Sequence, residues 1–469
     1  MGKSLLVAAI VGSLTIAGSG QAQAVTSCTS IATELKAAKL GKLYAYAVDI
    51  TTNKVLVNVR SNEQTPSASV MKTITAAAAI KFIVKPREVA NLAPYTAATT
   101  VLTNPAEPGT LILRGGGDHT LSRVKAGAYT TYYLPNQHPA KLREVASAAI
   151  AALPAGTVIN KIVLDDTFFK GPTWNPNHYA YSRTNGDMSP ITGLMIDAGR
   201  VNPDLTDTKY SGKRVTDPTL QAGQSFKAWL TTADEAAAVR ANDPSVKKLS
   251  SSVVIVKAKA PANAVPIVTR YSQPITNWLT HALKISDNTE TEVIARHTEI
   301  ALGLPNKYSS VQTMGNRLFA SLGISYKKLV MKDASGLAPN NRVTAKLLVG
   351  LMKRASDPTN DIASLTNYMA TSGDGGTLSG RFIAYNKTTK RNELVIPRGS
   401  IRAKTGYIGG LYSLAGVITT AGPDSHKIAF AIFARNDSAT KKYVGYGTKD
   451  AIDAVVEKLY LCGPSLPTS

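Results

Sequence analysis

Pro66-Ser67-Ala68-Ser69-Val70-Met71-Lys72, followed by Thr73-Ile74-Thr75-Ala76-Ala77-Ala78-Ala79-Ile80, is the stretch from which the chain is best read. Its second half is alanine-rich with apolar residues at helical spacing, which predicts a buried helix beginning near Ser69. Pro66 precedes that helix, where a missing N–H costs little. Ser69 and Lys72 then stand at i and i+3, so the hydroxyl and the amine share one face. They do so at a helix N-terminus, whose free N–H groups favour developing negative charge. A serine hydroxyl becomes a nucleophile when a neighbouring base takes its proton. A lysine can be that base when burial and a second cation favour its neutral form. The tetrapeptide alone decides nothing, because S-x-x-K also arises as a capping serine beside a solvated lysine.

The chain begins with Lys3, an apolar run over residues 5–17 and Ala22-Gln23-Ala24. This pattern predicts a secretory signal peptide over residues 1–24, too short to remain as a membrane anchor. No later stretch reaches the length of a membrane span, so the expected product is secreted and extracytoplasmic. Hydrophobic residues make up 44% of the 469 residues and charged residues 18%, a composition that allows a large core and more than one domain. The net charge of +22 at pH 7 favours polyanionic partners. No dense Arg/Lys tract and no aromatic-basic signature points to nucleic acid, so anionic cell-wall polymers are the expected polyanion. Adsorption to them should weaken with salt. Cys28 and Cys462 lie near opposite ends, and an oxidising compartment permits a bridge between them. Two free buried thiols are the alternative.

A first helix is expected over residues 26–39, then a hairpin around Thr51-Thr52-Asn53 leading into the Ser69 helix. From residue 88 to 220 the character changes to short β-rich pieces among Gly, Pro and Asn turns. This reads as an inserted β-rich region of two subdomains. Gly115-Gly116-Gly117-Asp118 lacks the Lys-Ser/Thr of a phosphate loop and reads as a turn. Residues 25–87 and 221–469 then form one split main domain. In it, Ser286-Asp287-Asn288 is a polar break between two helices, where a site residue could sit, and Thr289 with Glu292 reads as a capping box opening the second helix. Near the end come three strands and a closing helix. Lys404-Thr405-Gly406 lies on the first strand, and Gly406 lets a ligand or backbone approach closely.

Ser69–Lys72, Ser286–Asn288 and Lys404–Gly406 thus occur in the order S-x-x-K, S-D-N, K-T-G, the set that marks penicillin-binding proteins and class A β-lactamases. The chain resembles the penicillin-binding serine D-Ala-D-Ala carboxypeptidases and endopeptidases of peptidase family S13 (low-molecular-mass class C). The resemblance extends to Gly115–Asp118, to Asp165-Asp166-Thr167-Phe168-Phe169, to Asp333-Ala334-Ser335-Gly336-Leu337 and to the segments 374–381 and 402–406. Residues 73–285 separate the first two motifs, leaving room for the extra domains of S13 enzymes that class A β-lactamases lack.

The resemblance implies an α/β (α+β) fold. It consists of a transpeptidase-type domain, with a five-stranded antiparallel sheet flanked by helices, carrying the insertion. The implied substrates are peptidoglycan stem peptides ending in D-Ala-D-Ala, with β-lactams as acylating mimics and no cofactor or metal. By the same resemblance, Ser69 attacks the penultimate D-Ala carbonyl and Lys72 takes its proton. Ser286 relays a proton to the leaving amine, while Asn288 binds the substrate amide and orients Lys72. Lys404 supplies positive field that lowers the Lys72 pKa, and with Thr405 it receives the terminal carboxylate. The backbone N–H groups of Ser69 and Tyr407 form the oxyanion hole beside Gly406. Two departures stand out: Tyr407 replaces the usual small hydroxyl residue, and Lys170 follows the Asp-Asp-Thr-Phe-Phe match near a pocket that is often acidic in relatives. The resemblance also places the terminal helices side by side on one face of the sheet, which brings Cys28 and Cys462 within bridging reach.

His119, His138, His178, His281, His297 and His426 show no metal-ligand spacing and no partner motif, and the second absence argues against a Ser-His-Asp enzyme. Asp165 and Asp166 are adjacent on a strand and point to opposite faces, against a glycosidase pair. The remaining alternative is a non-catalytic β-lactam sensor or basic wall-binding protein, for which Lys72 would have no use.

Overall fold

The computed structural model describes residues 28–125, 138–203, 212–422 and 425–468. The expected signal peptide lies outside them. Near the start, the helix expected over residues 26–39 is α1 (Ala32–Leu35) followed by a 3-10 turn, Ala38–Leu40. The hairpin is β1 (Lys42–Asp49) and β2 (Val55–Val59). Its turn is closed by Asp49, whose carboxylate accepts from the Thr51 N–H and the Thr52 hydroxyl at 2.9 Å each. Next come α2 (Met71–Ala79), buried at every residue, and after a π-helical turn α3 (Lys85–Val89).

The chain then leaves the main domain. β3 (Ala98–Thr103), β4 (Thr110–Gly115), α4 (Leu142–Ala152), β5 (Ile159–Asp165), α5 (Ala180–Thr184), α6 (Pro218–Ala241), β6 (Leu249–Lys257) and β7 (Val265–Tyr271) follow. Their strands form one sheet in the order β6-β5-β4-β3-β7. The pairs β4/β5 and β5/β6 are parallel, and parallel neighbours need crossovers. α4 and α6 lie in those crossovers, and a shared core of Leu111, Leu113, Ala146, Ile162, Leu164, Phe226 and Leu230 joins them to the sheet.

Among the described residues, the strands of the insertion form one α/β sheet packed with helices, where two β-rich subdomains were expected. The insertion also extends past residue 220, because α6, β6 and β7 complete its sheet and the chain returns only after Tyr271. The sheet partners of β6 and β7 are set by pairing to residues far upstream.

The main domain resumes with α7 (Ile275–Ile285), α8 (Asn288–Ala301), α9 (Val311–Ser321), α10 (Ala345–Ala355) and the two-residue β8 (Ala370–Thr371). A separate hairpin, β9 (Ile383–Asn386) and β10 (Arg391–Leu394), precedes β11 (Ile401–Ile408), β12 (Leu411–Thr419), β13 (Lys427–Arg435) and α11 (Thr448–Cys462). The main sheet runs β2-β1-β13-β12-β11-β8. It is antiparallel throughout: the five expected strands plus the short β8 at the edge.

Both faces of this sheet are covered, and β13 shows how. Ala429, Ala431 and Phe433 pack toward α2, α8 and α10, while Ile428, Phe430, Ile432 and Ala434 pack toward α1 and α11. A strand buried on both faces has no polar alternation, so β13 reads as a continuous apolar run.

α1 and α11 lie together on that second face, and the Cys28–Cys462 disulfide joins them across 434 residues, with Cα atoms 5.2 Å apart. Closing so long a loop constrains the unfolded chain, and removing the bridge should cost about 2–4 kcal/mol. Reduction is therefore expected to lower the melting temperature. An unchanged melting temperature after complete reduction would contradict a stabilising bridge.

Candidate active site

The turn that presents Ser69 is built by backbone. Ala68 takes a left-handed φ of 47° and opens a 3-10 turn, Ala68–Val70, that feeds into α2. The α-helix thus begins at Met71, two residues later than the sequence suggests. Ser69 and Lys72 still face each other, with Lys72 Nζ 3.0 Å from Ser69 Oγ. Lys72 is 1% exposed, which is rare for a lysine and requires partners for its amine. It donates to Asn288 Oδ1 at 2.6 Å and to the Ser335 carbonyl at 2.7 Å.

Ser286 ends α7 in a left-handed conformation (φ 68°, ψ 36°), which breaks the helix and starts α8 at once. The cap of α8 differs from the expected Thr289/Glu292 box. Asp287 accepts from the Glu290 N–H at 2.7 Å, while Glu292 Oε1 accepts instead from the Ala334 and Ser335 N–H groups. Asn288, at the start of α8, donates through Nδ2 to the Asp187 carbonyl of the insertion at 2.9 Å. Its two ends therefore tie Lys72 to the inserted domain.

Lys404 on β11 is fully buried and donates to the Thr405 carbonyl at 2.9 Å. At Gly406 a Cβ would lie 2.3 Å from Ser413 Oγ and 3.0 Å from the Ser69 backbone nitrogen. Only glycine allows β11 to approach the Ser69 turn this closely. Ser69, Ser286, Asn288, Thr405, Gly406 and Tyr407 line one cavity of about 870 Å³. Tyr407 is 63% exposed, with its ring packed on Tyr412 at a centroid distance of 4.8 Å.

Sequence reasoning missed three contributors to this site. Tyr179 and Tyr181 reach the cavity from the insertion, their rings stacked 5.1 Å apart. The Ser335 carbonyl was invisible because a backbone acceptor carries no side-chain signature, although its loop lies within the Asp333–Leu337 motif. Lys170 is absent from the cavity lining, and its amine donates to the Thr167 carbonyl. Asp165 and Asp166 hold different partners, Thr167 with the Ala260 N–H for the first and Thr219 for the second.

Burial lowers the Lys72 pKa to about 8, against Asp333, Asp287 and Glu292, which raise it. Lys404 falls well below the ordinary lysine range, first through burial and then through the neighbouring Lys72. Burial is thus the first cause that lowers each of the two lysines, and at Lys404 the neighbouring Lys72 adds to it.

None of the six histidines lines the cavity among the described residues. His119 and His281 flank Glu290, His178 meets Asp333, His297 meets Tyr95, and His426 meets Asp49. Among the described residues, His178, Glu292 and Asp333 form a group of possible metal donors within 4.8 Å of one another. Their oxygens accept backbone and side-chain N–H groups of the loop over residues 333–341, the work of a structural clasp.

An antiparallel sheet flanked by helices, presenting a serine beside a buried lysine, defines a serine hydrolase of the penicillin-binding type. The profile of the D-Ala-D-Ala carboxypeptidase 3 (S13) family matches residues 27–252 and 246–459, and the chain belongs to that family. It is 28% identical to a carboxypeptidase of Mycobacterium tuberculosis over 90% of this chain and 81% of the relative. It is also 28% identical to carboxypeptidase DacB of Mycolicibacterium smegmatis, over 93% and 84%. The fold matches the crystal structure of penicillin-binding protein 4 (dacB) from Haemophilus influenzae with a TM-score of 0.65 at 17% identity, covering 89% of this chain and 96% of that one.

Proposed function

We propose that this hydrolase is an extracytoplasmic DD-peptidase that cleaves the terminal D-Ala-D-Ala bond of peptidoglycan stem peptides through an acyl-enzyme on Ser69. The observation that carries the reading is the 3.0 Å contact between Ser69 Oγ and an amine whose pKa stands at about 8. About a tenth of such an amine is neutral at pH 7, against less than a thousandth at the ordinary lysine value.

In the proposed reaction Ser69 Oγ bonds to the penultimate D-Ala carbonyl carbon while its proton passes to Lys72 Nζ. The negative charge on the tetrahedral oxygen is received by the Ser69 and Tyr407 N–H groups. The C–N bond then breaks, and the Lys72 proton reaches the leaving D-Ala amine through the Ser286 hydroxyl. Asn288 holds the substrate amide, and Thr405 with Lys404 binds the terminal carboxylate. Water attacks the ester in the second half-reaction: Lys72 takes the water proton and returns it to Ser69 Oγ as the acyl C–O bond breaks. A β-lactam places a strained amide at the same carbonyl position and acylates Ser69.

Endopeptidase action on D-Ala-diamino acid cross-links uses the same steps with a larger leaving amine, and the cavity of about 870 Å³ has room for one. The net charge of +22 suits retention on anionic wall polymers. Among the described residues no helix is long and apolar enough to cross a membrane. Purified protein should release D-Ala from a pentapeptide ending in D-Ala-D-Ala. Stable penicillin labelling without D-Ala release from pentapeptide or cross-linked muropeptide would favour the non-catalytic sensor instead.

A further inference from the structure

Of the three partners of Lys72 Nζ, two are side chains of the recognised motifs, and the third is the Ser335 carbonyl. A carbonyl is aimed by what holds its peptide chain, and here the holder is Glu292. The Ala334 and Ser335 N–H groups both donate to Glu292 Oε1, at 3.0 and 2.8 Å. Glu292 stands at i+4 from Asn288, so α8 carries both devices on one face. Asn288 touches Lys72 directly, and one turn later Glu292 grips the loop that touches it. Asp333 fastens the rest of the loop, accepting from the Gly336 and Ala338 N–H groups, Asn341 Nδ2 and His178 Nε2. At Gly336 (φ 85°) a Cβ would lie 1.9 Å from the Ala68 carbonyl, so the loop packs against the turn that presents Ser69.

The charges around this arrangement come from every packed element. Asp287 and Glu292 from α8 and Asp333 from the loop face Lys72, as does Lys404 from β11. Glu292 itself is 1% exposed and faces Asp333, His178 of the insertion and Arg296 of α8, with Glu299 and Tyr308 beyond. A buried carboxylate in such company is expensive to keep ionised unless hydrogen bonds and cations hold it.

We propose that Glu292 is a positioning residue for the acylation step: its carboxylate aims the Ser335 carbonyl at Lys72, and its charge holds the Lys72 proton. The inference rests on the reading of Ser69 as nucleophile and Lys72 as its base. Glu292→Gln keeps an acceptor oxygen and the side-chain volume but loses the charge, so the base gives up its proton more readily. Glu292→Ala loses both.

The test is the pH profile of penicillin acylation of the full chain, followed by intact-mass spectrometry, with thermal unfolding measured alongside. In Glu292→Gln the acidic limb is expected to move down by about one pH unit. In Glu292→Ala the plateau rate should fall about 10²-fold, the cost of a base about 1 Å out of place, and Glu292→Gln should recover most of that loss. A Glu292→Gln profile with the parent's midpoint overturns the proposal, and this variant decides the matter alone if Glu292→Ala does not fold. Absence of any adduct on the parent protein would overturn the Ser69 reading instead, a result separate from either variant's profile.

Discussion

Ser69→Ala should carry no covalent penicillin adduct, while the parent protein acquires one adduct per chain by intact mass. The expected effect is complete, because the acyl bond has no other atom at which to form: Ser69 Oγ is the hydroxyl in contact with the Lys72 amine. D-Ala release should fall by about 10⁶-fold, as when the nucleophile of a serine hydrolase is removed. The substitution deletes one oxygen beside a buried amine that keeps its bonds to Asn288 and Ser335, so the fold should persist. An adduct in folded Ser69→Ala protein would move the nucleophile to another residue, with Ser286 on the same cavity wall the first to examine.

Lys72→Ala should lower the acylation rate by about 10⁴-fold, the upper range for a general base. In the parent protein the rate should rise with pH through about 8 and then level off. The sign follows from the role: the neutral amine is the active form, and burial puts its midpoint near 8 instead of the ordinary 10.5. Lys404→Ala separates two electrostatic accounts. Since burial is the cause that lowers Lys72, removal of Lys404 should leave the midpoint near 8. The rate should instead fall across the whole pH range by about 10²-fold, as expected for a lost substrate-charge partner. A limb displaced toward 10 in Lys404→Ala would show instead that its charge is what depresses Lys72.

The sequence by itself determined the chemistry. Ser69, Lys72, Ser286, Asn288, Lys404 and Gly406 belong to three short motifs whose local geometry fixes each member: an i,i+3 pair, a helix break and a strand glycine. The structure brings all three motifs to one cavity. The sequence also offered Cys28 and Cys462 as its one possible pair, and the resemblance brought them within reach.

Only the tertiary structure decided where the insertion ends, since β6 and β7 take their identity from strands β5 and β3, far upstream. Hydrophobic periodicity reports that a strand exists, and its neighbour is settled by long-range packing. It also decided that Tyr179 and Tyr181 reach the site and that Glu292 grips a loop where a capping role was expected. Above all it set the surroundings of Lys72. Burial in a space closed to water lowers its pKa, and three carboxylates, Asp287, Glu292 and Asp333, oppose that from segments that meet only once the chain has folded.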